Sequence, residues 1–144
     1  MTDPKTVARE SFQLVETGDP GLAQRIIAVD FVNAEAEDDP DDVERRLSGP
    51  AGFLATSQLL RKAFSGLRFE LHEIVGEGGL LMAAATMTGE HTGTFNGIEP
   101  TGQRINHKQV HIFTVVDGRI TLHRAVRDDL GLLLQLGWRL GSPS

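Results

Sequence analysis

A change of period about halfway along the chain constrains its fold more than any other feature. In the first part, prolines stand where helices begin. Asp3-Pro4 and Asp19-Pro20 each place a capping aspartate before a proline at the first helical position, and Ser48-Gly49-Pro50 repeats the signal. Val7, Phe12, Leu14 and Val15 form an apolar stripe that stops at Gly18. Leu22, Ile26 and Ile27 mark a short second helix. Phe53, Leu54, Leu60, Ala63 and Phe64 mark a third, from about Pro50 to Phe64.

From Leu67 onward the apolar residues alternate. Arg68 to Val75 puts Phe69, Leu71 and Val75 on one side and Glu70 and His72 on the other. Gly76 to Gly79 reads as a turn. Leu80 to His91 reads as a long, largely buried strand, and Arg104 to Val116 as the next. Asp117-Gly118 is a hairpin signal leading into Arg119 to Arg127. Asp128 or Asp129 then caps a final helix, Leu130 to Leu136, which ends at Gly137. Helices followed by four strands in antiparallel hairpins predict a single α+β domain over residues 1–144. A strongly curved antiparallel sheet wrapped over the N-terminal helices would enclose a conical pocket.

Composition narrows the function. Without cysteine there is no disulfide framework, thiol nucleophile or Cys-ligated zinc. With 20 Asp+Glu against 14 Lys+Arg, the chain lacks the basic balance of a nucleic-acid binder. The polar start Met1-Thr-Asp-Pro-Lys5 and the shortness of the longest apolar run, Leu80 to Ala85, predict a soluble cytoplasmic protein with no membrane contact. No GxGxxG follows a strand, and neither GxxxxGK[ST] nor GxSxG occurs, so nucleotide cofactors are not expected. The acidic segment Glu35 to Glu44 reads as a solvated loop, with a metal site, though without the EF-hand pattern, or a lid over the pocket as the alternatives.

The stretch Asn106 to Val115 carries the strongest chemical signal. Period two places His107, Gln109, His111 and Phe113 on one face, and Lys108, Val110 and Ile112 on the other. In the following strand, Thr121, His123, Ala125 and Arg127 share a face. A three-residue hairpin loop sets His111 opposite His123; a two-residue loop sets Arg124 there instead. The first is favoured because it aligns the apolar residues of both strands. Convergent polar groups over an apolar floor predict a binding pocket built on Gln109, His111 and His123. His107 and His72 read as hydrogen-bonded or solvated structural residues. No metal site is expected: His107 and His111 lie roughly 13 Å apart along the strand, and His111 with His123 lacks a third ligand.

Several stretches together resemble the SnoaL-like polyketide cyclases, a branch of the nuclear-transport-factor-2-like cone folds. They are Phe31-Val-Asn33, Gly93 to Arg104, Gln109-Val-His111 with Val115 to Ile120, and His123 to Gly137. The resemblance implies a cone-shaped α+β barrel, a homodimer, an apolar cavity, and ring closure on a polyketide without metal or cofactor. It carries pocket roles to Asn33, Gln109, His111 and His123. The family's general acid/base stands two residues after the last histidine, where this chain has Ala125.

Ala125 cannot remove a proton from carbon. The expected chemistry is therefore closure by substrate folding, including a pericyclic route, or closure assisted by His111 or His123. Gln109 or Asn33 would hydrogen-bond a substrate carbonyl. Phe53, Met87, His91, Phe95, Phe113 and Ala125 are expected against the substrate. The alternatives are a non-catalytic carrier of a small apolar ligand and a cofactor-free polyketide hydroxylase.

Overall fold

The computed structural model describes residues 3–34, 47–139 and 141; the acidic segment Glu35 to Glu44 lies outside the described residues. Each early helix starts as its sequence dictates. Asp3 accepts the Lys5 N–H at 2.9 Å and opens α1 (Pro4–Thr17), which Gly18 ends in the left-handed region at φ 68°. Asp19 accepts the Gly21 N–H at 2.9 Å and opens α2 (Pro20–Ile26). α3 spans Pro50–Ala63. It is tied to α1 by the Ser57 hydroxyl, which donates to the Val15 carbonyl at 2.7 Å.

Five strands follow these helices or lie between them: β1 (Ile27–Asn33), β2 (Phe64–Glu77), β3 (Leu80–His91), β4 (Arg104–Val116) and β5 (Arg119–Arg127). Their order in the sheet is β1-β5-β4-β3-β2. The sheet is cone-like but open, because its outer strands β1 and β2 are not paired with each other. The expectation of four antiparallel strands is corrected here. β1 is a fifth strand and runs parallel to β5, with Asn33 beside His123. β2 begins at Phe64, directly after α3, and its turn into β3 occupies only Gly78 and Gly79.

Two bulges change which residues face inward. In β2 the register shifts between Leu71 and Glu73. Beyond it Ile74, not Val75, packs on the core, and Val75 is 61% exposed. In the β4–β5 hairpin, Asp117 and Gly118 both have positive φ (51° and 77°), the signature of a two-residue type I′ turn. The three-residue loop is therefore not formed. An extra residue, Thr121, then shifts the register between Thr114 and Val115. His111 consequently stands opposite Ala125, and His123 opposite Phe113. The bulge lets both Ile120 and His123 point inward, which no regular strand would allow.

The core lies between α1, α3 and the inner sheet face, with Phe12, Phe31, Phe64, Phe113, Leu81 and Met87 buried in it. α4 (Asp129–Gln135) closes one end. Asp128, rather than Asp129, caps it by accepting the Gly131 N–H at 2.9 Å. The Gln135 side chain fixes α4 to β4 by bonding both the N–H and the carbonyl of Asn106 (2.8 and 2.9 Å). Among the described residues no helix is long and apolar enough to cross a membrane.

Candidate active site

The inner sheet face and helices α1 and α3 enclose a cavity of about 380 Å³. Its apolar walls include Phe12 and Val15 from α1, Phe53 and Leu60 from α3, and Phe69, Met87 and Phe113 from the sheet. Asn33, Gln109, His111 and His123 line it too, as does Phe95 from the β3–β4 connection. So do His107, Arg127 and Asp129, none of which is among the expected pocket residues.

Two of the expected contact residues are elsewhere. His91 is fully buried but is not among the lining residues. Its Nδ1 meets the Thr101 N–H at 3.1 Å and the Thr101 hydroxyl at 3.0 Å, and its ring packs on Phe64. It therefore holds the β3–β4 connection in place. Ala125 faces His111 across the strand pair and is also absent from the lining. A methyl side chain is too short to reach the space that a carboxylate would enter from that position.

The polar groups form one continuous chain. His123 Nε2 lies 2.8 Å from His111 Nδ1. His111 Nε2 lies 2.5 Å from Gln109 Oε1. Gln109 Nε2 lies 3.2 Å from His107 Nδ1, and His107 Nε2 lies 3.1 Å from Asp129 Oδ1. Strand period explains the spacing. His107 and His111 are too far apart to touch, and the amide between them offers an acceptor to one and a donor to the other.

One end fixes the direction of the whole chain. An ionised carboxylate only accepts, so His107 Nε2 carries the proton and its Nδ1 accepts from the Gln109 amide. The Gln109 carbonyl then accepts from His111 Nε2–H. His111 Nδ1 accepts in turn from His123 Nε2–H. Gln109 has a second amide proton, which rests only on the Met87 sulfur at 3.7 Å, a weak acceptor.

His111 sits in an aromatic box. Phe12 meets it edge-on at 4.9 Å, Phe113 stacks at 6.0 Å, and Phe69 approaches edge-on at 6.3 Å. Burial, followed by His123, Arg127 and His107, holds its pKa well below the usual histidine value. It is therefore a neutral imidazole at pH 7. His107 is also shifted down, chiefly by burial, with the Asp129 carboxylate acting in the opposite direction. Asn33 is buried on β1, its amide 3.4 Å from the Thr56 hydroxyl. Among the described residues, no group of three or more His, Asp or Glu is placed to hold a metal ion.

The signal for His107 was present in the sequence, since it shares a face with Gln109 and His111. Its place in the chain shows only once the bridging amide is seen. Asp129 gave no such signal. It reaches the cavity because α4 folds back on β4, with the Asp128 N–H donating to the Lys108 carbonyl at 2.9 Å.

Comparison with known proteins agrees with this architecture. The family model described as SnoaL-like polyketide cyclase matches residues 5–136. Aklanonic acid methyl ester cyclase DnrD of Streptomyces peucetius is 33% identical over 140 residues, covering 95% of this chain and 92% of that protein. Nogalonic acid methyl ester cyclase of Streptomyces nogalater is 36% identical over 91 residues, covering 62% of this chain and 68% of that protein. TsrD from Streptomyces laurentii shares the fold at 24% identity, with a TM-score of 0.79 over 92% of this chain and 93% of that one. By sequence and by fold, the chain belongs to the SnoaL-like polyketide cyclase family.

Proposed function

We propose that the chain closes a carbon–carbon ring within a polyketide held in this cavity. The observation that carries the reading is the fully connected polar chain along one wall of an otherwise aromatic and aliphatic space. Buried polar groups that satisfy one another hold fixed orientations. The loosely held second amide proton of Gln109 is then available to a substrate carbonyl, for which it would leave the Met87 sulfur. His111 and His123 set the orientation of that amide, and Asn33, beside His123 on β1, lines the same cavity. The apolar walls fold the flexible substrate so that its reacting carbons meet, an effect that can reach roughly 7–11 kcal/mol in good cases. Such a closure calls for no metal or cofactor.

The outer face of the sheet supports a homodimer. Met82, Val110 and Val126 are exposed on it at 41%, 41% and 69%, a patch suited to an isologous contact with a second copy.

The test is incubation of the purified protein with aklanonic acid methyl ester, the substrate named for DnrD. A cyclase gives a product of unchanged mass and altered retention, and His111→Phe slows its formation while the fold persists. Ligand returned unchanged after long incubation would replace this reading with the carrier, which Ala125 favours. A gain of one oxygen would replace it with the hydroxylase.

A further inference from the structure

We propose that Asp129 is the general base of this site, doing from the first turn of α4 what Ala125 cannot do from β5. Asp129 is the only carboxylate lining the cavity among the described residues. Asp128 takes the capping task, so Asp129 is not needed to start the helix. The His107 Nε2–H holds its Oδ1 at 3.1 Å, while its Oδ2 has no hydrogen bond among the described residues. Its side chain lines the cavity at the solvent-exposed edge, 75% exposed, and a carboxylate there that a neighbouring donor orients meets the positional requirement of general-base catalysis.

The histidines are less suited to the task. Both ring nitrogens of His111 are engaged, with His123 and with Gln109, and both of His107, with Gln109 and with Asp129. They are positioning residues: His107 aims the carboxylate, and His111 aims the amide.

The assignment narrows the substrate class. Carboxylates are weak bases, with ordinary pKa values near 4, so the carbon acid must be activated by two flanking carbonyls. The carboxylate takes that proton and the C–H electron pair becomes an enolate. The enolate carbon bonds to a ketone carbon of the same chain, and the ketone oxygen becomes an alkoxide. The proton returns from Asp129 to the alkoxide, so no oxidant, reductant or leaving group is involved.

This step rests on the cyclase reading, but the base can be tested without it. The probe is 5-nitro-1,2-benzisoxazole, whose ring opens when a base removes one C–H proton. The wild-type protein should accelerate the opening over buffer. Asp129→Asn should lower the rate about 100-fold, within the usual range for a general base, with KM within about twofold and an unchanged melting temperature. His107→Phe should lower the rate less and shift its pH profile, since it removes only the group that aims the carboxylate. Asp129→Ser gives a second variant in case the asparagine form misfolds. An undiminished rate in the Asp129 variants, or no acceleration by the wild type, overturns the assignment. With aklanonic acid methyl ester the two ideas separate. Probe opening that depends on Asp129, without any cyclisation, sinks the cyclase reading alone. Cyclisation undiminished by Asp129→Asn sinks the base alone.

Discussion

Replacing Gln109 by Leu tests whether the polar chain is a built structure or a set of accidental contacts. Leucine keeps the bulk of glutamine and removes both halves of its amide. His107 Nδ1 then loses its donor, and His111 Nε2–H loses its acceptor. Gln109, His107 and His111 are 6%, 3% and 6% exposed, so the orphaned groups are cut off from bulk water. A buried polar group left without a partner costs roughly 1–3 kcal/mol. Two such groups, partly relieved by water in the cavity, give about 2–4 kcal/mol. An unfolding entropy of about 2.1 cal/mol/K per residue converts this to a melting temperature lowered by about 7–13 °C. Thermal unfolding followed by circular dichroism at pH 8 measures the drop. A Gln109→Leu protein melting within about 2 °C of the wild type would refute the claim that this chain fixes the site.

The lowered pKa of His111 has a definite sign in stability. The unfolded chain takes up a proton near pH 6.5 while the folded chain does not, so stability contributed above that pH is lost as pH falls through it. The loss is at most about 1.4 kcal/mol per pH unit for this one proton, and His111→Phe should flatten it in urea unfolding between pH 7 and pH 5. Ala125→Asp places a carboxylate opposite His111 and should raise the His111 pKa toward neutrality, read from its ring carbon and nitrogen shifts by NMR. Val110→Glu puts a charge at the centre of the exposed apolar sheet face. It should convert a dimer to a monomer by light scattering, and a wild type that is already monomeric removes the isologous contact from the picture.

Much of the fold was legible because it is specified locally. The two Asp-Pro helix starts and the limits of β3, β4 and β5 follow from capping chemistry and alternation, and these bounds agree with the structure. β1 was not legible as a strand. Its buried residues do not alternate, and its partner β5 lies almost a hundred positions away in a parallel pairing that no turn announces. The two bulges were hidden for a related reason. Asp117-Gly118 specifies a two-residue turn, but the inward rotation of His123 depends on an extra residue at Thr121, which no turn residue announces.

The site divides along the same line. Gln109 and His111 share a strand face, so their partnership follows from period two, and His107 follows once the amide is recognised as a bridge between rings too distant to touch. Asp129 belongs to a different kind of information. Next to Asp128 it looks like one of two interchangeable caps, and only the docking of α4 on β4 separates their tasks, turning one toward the helix and the other toward the cavity. On the proposed assignment, the acid/base position of this cavity moves from β5 to the start of α4. A chain with Ala125 and without a carboxylate like Asp129 would have no such substitute, and among relatives of this fold the pair of positions, rather than either alone, should separate ring-closing enzymes from carriers.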